Sequence, residues 1–211
     1  YNNTTGSANN AFGTNALFTN TTGSQNVAMG NNTLDNNTTG SYNVALGNQA
    51  LGANTTASYN SALGHLALSA NTTGVSNAAV GYGALASNTT ANSNTAMGVN
   101  ALTANTTGAE NVALGQQALD NNTTANNNTS LGYQAGYSNT TGSNNTAVGR
   151  KAGYSTTTGG ANVFVGQSAG LNTTSSNNTF LGVNSGDLVT SGSKNTILGR
   201  YNGNQSGLDI R

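Results

Sequence analysis

The sequence predicts an all-β protein, a parallel β-solenoid of about twelve coils with one 17-residue repeat per coil. Three observations predict it. A glycine recurs every 17 residues, at Gly13, Gly30, Gly47, Gly64, Gly81, Gly98, Gly115, Gly132, Gly149 and Gly166, with Gly182 coming 16 later and Gly199 after another 17. Around each glycine stands one motif, Asn-x-Ala-φ-Gly-x-x-Ala with φ a large apolar residue, as in Asn111-Val112-Ala113-Leu114-Gly115-Gln116-Gln117-Ala118. Between motifs lies Asn-Thr-Thr-Gly or a variant of it, which breaks a helix, and no 3.6-residue stripe crosses the breaks. Short strands separated by Gly/Asn/Thr turns fit this pattern.

Within a coil, the position four before the glycine is Asn in every copy: Asn9, Asn26, Asn43, Asn60, Asn77, Asn94, Asn111, Asn128, Asn145, Asn162, Asn178 and Asn195. Stacked coils place like residues about 4.8 Å apart, so these side chains form a structural ladder in which amide bonds amide, and no ligand is needed to account for it. The residue just before the glycine is always large and apolar, from Phe12 and Met29 to Leu181 and Leu198. Its neighbour on the N-terminal side is Ala in most coils, replaced by Ser130, Phe164, Phe180 and Ile197. Side chains alternate along a strand, so the large column is expected in the lumen and the alanine column outside. An outer face that is also apolar asks for burial, and a second copy of the same rod supplies it most simply. The chain is therefore expected to self-associate.

Taken in order, the first seven coils carry Leu four after the glycine, from Leu17 to Leu119. From residue 132 that position is glycine, at Gly136, Gly153, Gly170, Gly186 and Gly203, followed in two coils by Tyr137 and Tyr154. The packing side chain is expected to move one place along the turn, and the outer apolar face to widen at Phe164, Phe180 and Ile197. This reads as a single solenoid over residues 1–199 with sub-blocks 1–131 and 132–199, and residues 200–211 as an exit into a following region. The chain opens mid-repeat without Met, which reads as part of a longer or processed protein. One coil cannot fold alone: burying a Leu gives roughly 1.5–3 kcal/mol, while ordering each residue costs about 1–2 kcal/mol.

Composition removes several function classes. The chain is 34% hydrophobic and 5% charged, with no cysteine, which rules out disulfides and thiolate metal sites. Residues 1–149 contain no Lys or Arg, so the basic stripe that nucleic acid requires is missing. No apolar run is long enough to span a bilayer. No cofactor is expected. The chain does not read as an enzyme either. Asp35, Asp120 and Asp187 share a column but stand five and then four coils apart, roughly 20 Å or more, too far for paired carboxylates at about 5–9.5 Å. His65, the only histidine, has no partner for a triad or metal site and reads as an exposed residue.

Two features invite a ligand. Asn3, Asn20, Asn37, Asn54, Asn71, Asn88, Asn105, Asn122, Asn139 and, one place early, Asn172 each begin an Asn-x-Thr acceptor on a turn, and so are candidate glycosylation sites. The alternative is turn chemistry, since Asn and Thr side chains bond nearby backbone. Tyr137 and Tyr154, with Arg150 and Lys151, form a candidate binding patch for a sugar or surface polymer, against the plainer account of an aromatic ladder. Threonine columns also raise an ice-binding reading, disfavoured because adjacent threonines point oppositely.

The motifs Asn-Val-Ala-Leu-Gly-x-x-Ala and Asn-Thr-Ala-Val-Gly-x-x-Ala resemble the head repeats of trimeric autotransporter adhesins, the YadA-like head. The Asn-Thr-Thr-Gly arrays are still more similar to phage tail-fibre-like and bacterial surface proteins. The resemblance covers essentially the whole chain but departs in period, since those adhesin heads use repeats near 14 residues. It implies a left-handed β-roll, commonly three chains side by side, displayed outside the cell or on a virion, with no catalysis. The expected function is a shaft or head segment of an extracellular fibre or filament serving reach, display and attachment. The alternative is an adhesin module binding a host-surface glycan or receptor. The expected partner is the chain itself, as a trimer or an end-to-end filament.

Overall fold

A computed structural model describes residues 2–200. Most of the exit segment, with Gly203 and Arg211, lies outside them. The described chain is a β-solenoid: β1 (Asn10–Phe12), β2 (Val27–Met29), β3 (Val44–Leu46), β4 (Ser61–Leu63), β5 (Ala78–Val80), β6 (Thr95–Met97), β7 (Val112–Leu114), β8 (Thr129–Leu131), β9 (Thr146–Val148), β10 (Val163–Val165), β11 (Thr179–Leu181) and β12 (Thr196–Leu198). All twelve lie in one sheet in chain order, each parallel to the next, and the motif residues pair like with like, as in Ala45↔Ala62 and Leu46↔Leu63. The 16-residue step keeps this register, pairing Phe164 with Phe180. The missing residue is absorbed in the turn, since the hydroxyl of Thr156 donates to the carbonyl of Thr173, 17 residues on, whereas the backbone of Asn178 donates to Asn162, 16 back.

Backbone bonding continues through the turns. The Thr38 amide donates to the Thr55 carbonyl at 2.8 Å, and that of Leu51 to Ala67 at 3.0 Å. Coils stack this closely because the motif glycine has no side chain. A Cβ on Gly98 would lie 2.6 Å from the carbonyl carbon of Gly115, and its φ of +138° is one that side chains rarely adopt.

The lumen is filled differently from the sequence expectation. The middle residue of every strand from β2 onward is buried. The large residue beside it faces out: Met29 is 49% exposed, Leu63 50% and Met97 51%. Alternation is obeyed, but with the opposite phase. The reason lies across the coil, where Leu17, Leu34, Leu51, Leu68, Leu85, Leu102 and Leu119 enter the lumen from the turn and pack with the alanines. A narrow coil has room for one large column, and leucine occupies it.

The later coils invert that pairing. Where leucine becomes glycine, Phe164, Phe180 and Ile197 replace alanine and point inward, forming a second core cluster with Ala135, Ala147, Ala152 and Ala169. The outer face therefore does not widen there, and the packing side chain crosses the lumen instead of shifting along the turn. A Cβ on Gly153 would sit 2.6 Å from Phe164 Cδ2, and one on Gly186 would sit 2.5 Å from Phe180 Cδ2. The two fillings exclude each other. Between them, Ser130 and Ala147 face Gly136 and Gly153, with no large side chain on either wall. A void of about 10 Å³ remains among Leu119, Ser130, Gly136, Ala147, Gly153 and Phe164, room for about one water molecule.

Candidate binding surfaces

The regular spacing of asparagines has an internal explanation in both columns. Four before the glycine, each Asn from Asn9 to Asn178 accepts from the backbone of the next coil's Asn, and most also reach a turn carbonyl of that coil. The Asn43 amide nitrogen of the backbone donates to Asn26 Oδ1 at 2.9 Å, and Asn43 Nδ2 donates to the Ala57 carbonyl at 2.8 Å. The ladder is thus tied to backbone on two sides as well as amide to amide. Asn128 departs from it, its buried Nδ2 having no partner. It stands in the same coil as Ser130, at the joint between the two core types.

The turn asparagines form a second ladder. Asn37 Nδ2 donates to Asn20 Oδ1 at 2.8 Å and to the Gly40 carbonyl at 3.0 Å, and Asn54, Asn71, Asn88, Asn105, Asn122 and Asn139 repeat the pattern. All of these from Asn20 to Asn139 are buried. A glycan on Nδ2 needs that nitrogen in solvent, and the ladder keeps these nitrogens buried and bonded internally. Of the ten candidates, Asn3 is exposed and donates from Nδ2 to the Gly6 carbonyl. Asn172 does not belong to the ladder, since its Nδ2 donates to the Asp187 carbonyl. The ladder column there is held by Thr156 and Thr173, whose hydroxyls donate to the carbonyls of Thr173 and Val189. The motif spacing misassigned Asn172 because the deletion lies after the ladder position, not before it.

The two threonines of each turn have different surroundings. The first bonds the next coil, as when Thr38 Oγ1 donates to the Thr55 carbonyl at 3.0 Å. The second, at Thr22, Thr39, Thr56 and onward to Thr158, is exposed in every coil. This single file of threonine is not the flat two-column array that the ice-binding reading needs.

Three aromatic stacks run parallel to the rod. Tyr137 and Tyr154 lie with ring centroids 5.1 Å apart and planes within 6°, and Lys151 Nζ stands 5.1 Å from the Tyr154 centroid, a cation–π arrangement. Arg150 is exposed in the next column. Each tyrosine spends one ring face on the other, and both are half-buried. Tyr42 and Tyr59, which the sequence reading missed, stack identically at 5.1 Å and 6° and are 49% and 61% exposed. Their spacing of 17 was the signal available. His65, exposed as expected, stacks on Tyr82 at 5.4 Å.

The acidic groups stay apart. Asp35 borders a surface groove of about 320 Å³ with Asn32, Asn36, Gln49 and Ser69, opened by the missing side chain at Gly52. Burial raises its pKa above the usual carboxylate value, against lowering bonds from its own backbone and that of Asn36. Burial likewise raises Asp120, partly offset by the Gln117 side chain, and Asp120 Oδ1 has no partner. Among the described residues, no three His, Cys, Asp or Glu side chains gather where they could hold a metal ion, and no helix is long and apolar enough to cross a membrane. No family model, curated protein or solved structure matches the chain.

Proposed function

We propose that the chain is a structural segment of an extracellular fibre or filament, a shaft or head that supplies reach and display at a cell or virion surface, with copies assembled side by side as a trimer. The observation that carries this reading is the twelve-strand sheet itself, whose register never lapses along the described chain. Such stacking sets length by coil number, giving a rod on the order of 55 Å at the sheet spacing. The groups a catalyst would bring together are instead spread along it. Antibody raised against the folded rod and applied to intact producing cells or virions tests the placement. Surface labelling before permeabilisation is expected, and labelling only afterwards would refute it.

A second reading, a glycan- or receptor-binding adhesin, is favoured by the Tyr137–Tyr154 stack with Lys151 beside it. Glycan-array binding that is lost in Tyr137→Ala and Tyr154→Ala would support this reading over a purely structural role. Binding that is absent, or unchanged by those variants, would remove the patch.

A further inference from the structure

The expected self-association rested on an outward alanine column, but the alanines line the lumen. The outer face of the sheet belongs instead to the first and third residues of each strand. The third is the large apolar column: Phe12 is 75% exposed, Leu63 50%, Met97 51% and Leu131 45%. The first is drawn from Val, Thr, Ala, Ser and a single Asn, with Val44 40% and Val163 38% exposed. Neither column carries a charge in any of the twelve coils. The strip is thus an unbroken file of large apolar side chains beside an uncharged column of mostly Val and Thr, and a contiguous exposed apolar surface of this kind marks an interaction site.

We infer that this strip is the interface between copies of the chain, and that the three rods of the trimer turn it inward together toward their common axis. The inference rests on the side-by-side assembly proposed above and says which surface makes it. Two arguments select the occupant. The first is pitch. The large side chains stand as knobs about 4.8 Å apart along the rod; gaps at that interval need another stack of strands, and a second copy of this chain matches it in both repeat and length. A helix, at 1.5 Å per residue, falls out of step within a few turns. The second is area. Twelve strands, with the three strand residues and one more on either side, make a face of roughly 55 by 16 Å. That is on the order of 900 Å², near the ~800 Å² per partner of a stable interface. The absence of charge removes the desolvation cost that would oppose contact and gives a charged partner nothing to pair with.

The test places charge on the strip. Met29, Leu63, Met97 and Leu131 are changed together to Lys, in alternate coils. The control changes Thr22, Thr56, Thr90 and Thr124 to Lys, adding the same charge on the turn column. Mass in solution is measured by light scattering, with circular dichroism as the check on folding. The wild type and the control are expected to share one oligomeric mass, and the strip variant to fall to the 20.9 kDa of a single chain with its spectrum unchanged. A strip variant that keeps the oligomeric mass overturns this inference and leaves side-by-side assembly standing on another face. A monomeric wild type overturns the assembly itself. Should the strip variant fail to fold, single cysteines decide, because the chain has none of its own. Leu63→Cys is expected to crosslink between chains under oxidation and Thr56→Cys is not; the reverse result overturns the inference.

Discussion

The lumen of the rod holds one large column at a time, and that exclusion can be tested by a double-mutant cycle at Phe164 and Gly170. The Phe164 ring is 1% exposed and lies between Gly153 and Gly170. Phe164→Ala removes the ring and joins its space to the small void beside it, at a cost of about 3–5 kcal/mol. Gly170→Leu alone drives a side chain into the ring, since even its Cβ would lie 2.5 Å from Phe164 Cε1, and overpacking costs about 1–3 kcal/mol or more. The two together recreate the alanine–leucine filling of the first seven coils. The backbone already suits it, because Gly170 has φ +61° and Leu34 to Leu119 sit at similar values, such as +53° at Leu102. The double variant is therefore expected to be more stable than the sum of its parts by roughly 2–3 kcal/mol, at the upper end of coupling between touching residues. Urea unfolding followed by circular dichroism, with amide exchange in coils nine to eleven, reads the coupling. Additive losses would refute the account of the lumen.

Four further outcomes follow from the same geometry. Gly98→Ala puts a Cβ 2.6 Å from Gly115 backbone at φ +138°; it is expected to cost several kcal/mol and to open the neighbouring coils, seen as lost amide protection from Val80 to Leu114. Asn94→Ala strips the partner from the Asn111 backbone amide, while the Gly108 carbonyl keeps its bond from Asn105 Nδ2, a loss of about 1–3 kcal/mol for the one group left buried and unpaired, measurable as a lower urea midpoint; an unchanged midpoint would show the ladder to be incidental. Burial raises the Asp120 pKa above the usual carboxylate value, so the folded state binds more protons than the unfolded one and stability falls as pH rises through the folded pKa; Asp120→Asn is expected to flatten this decline in melting temperature. Peptide mass spectrometry of native material is expected to find Asn20 through Asn139 unmodified, since their amide nitrogens are internal; a glycan on any of them would show that the ladder does not form there.

Much of the architecture could be read directly from the chain. The glycine period marks one lap of backbone, and the unbroken asparagine column marks an in-register stack. Both depend only on local chemistry: a glycine wherever coils meet backbone to backbone, and an amide wherever one coil must be tied to the next. The candidate sites were less legible. An Asn-Thr-Thr turn reads the same whether its asparagine faces water or a neighbouring asparagine, and Asn172 was placed in the wrong column because a one-residue deletion can be drawn on either side of it. The tyrosine pairs were visible as residues 17 apart, but their exposure was not. That depends on what stands in the columns beside them.

The sequence by itself therefore determined the repeat, the strand direction, the coil count and the alternation of faces, because each is a periodic property of a single strand or turn. Only the tertiary structure decided which face is the inside. Alternation fixes that neighbours point oppositely but not which of them points in, and that choice belongs to the far wall of the coil. There a leucine reaching in leaves space for alanine, and a glycine leaves space for phenylalanine. The large apolar column is thereby turned outward along the whole rod.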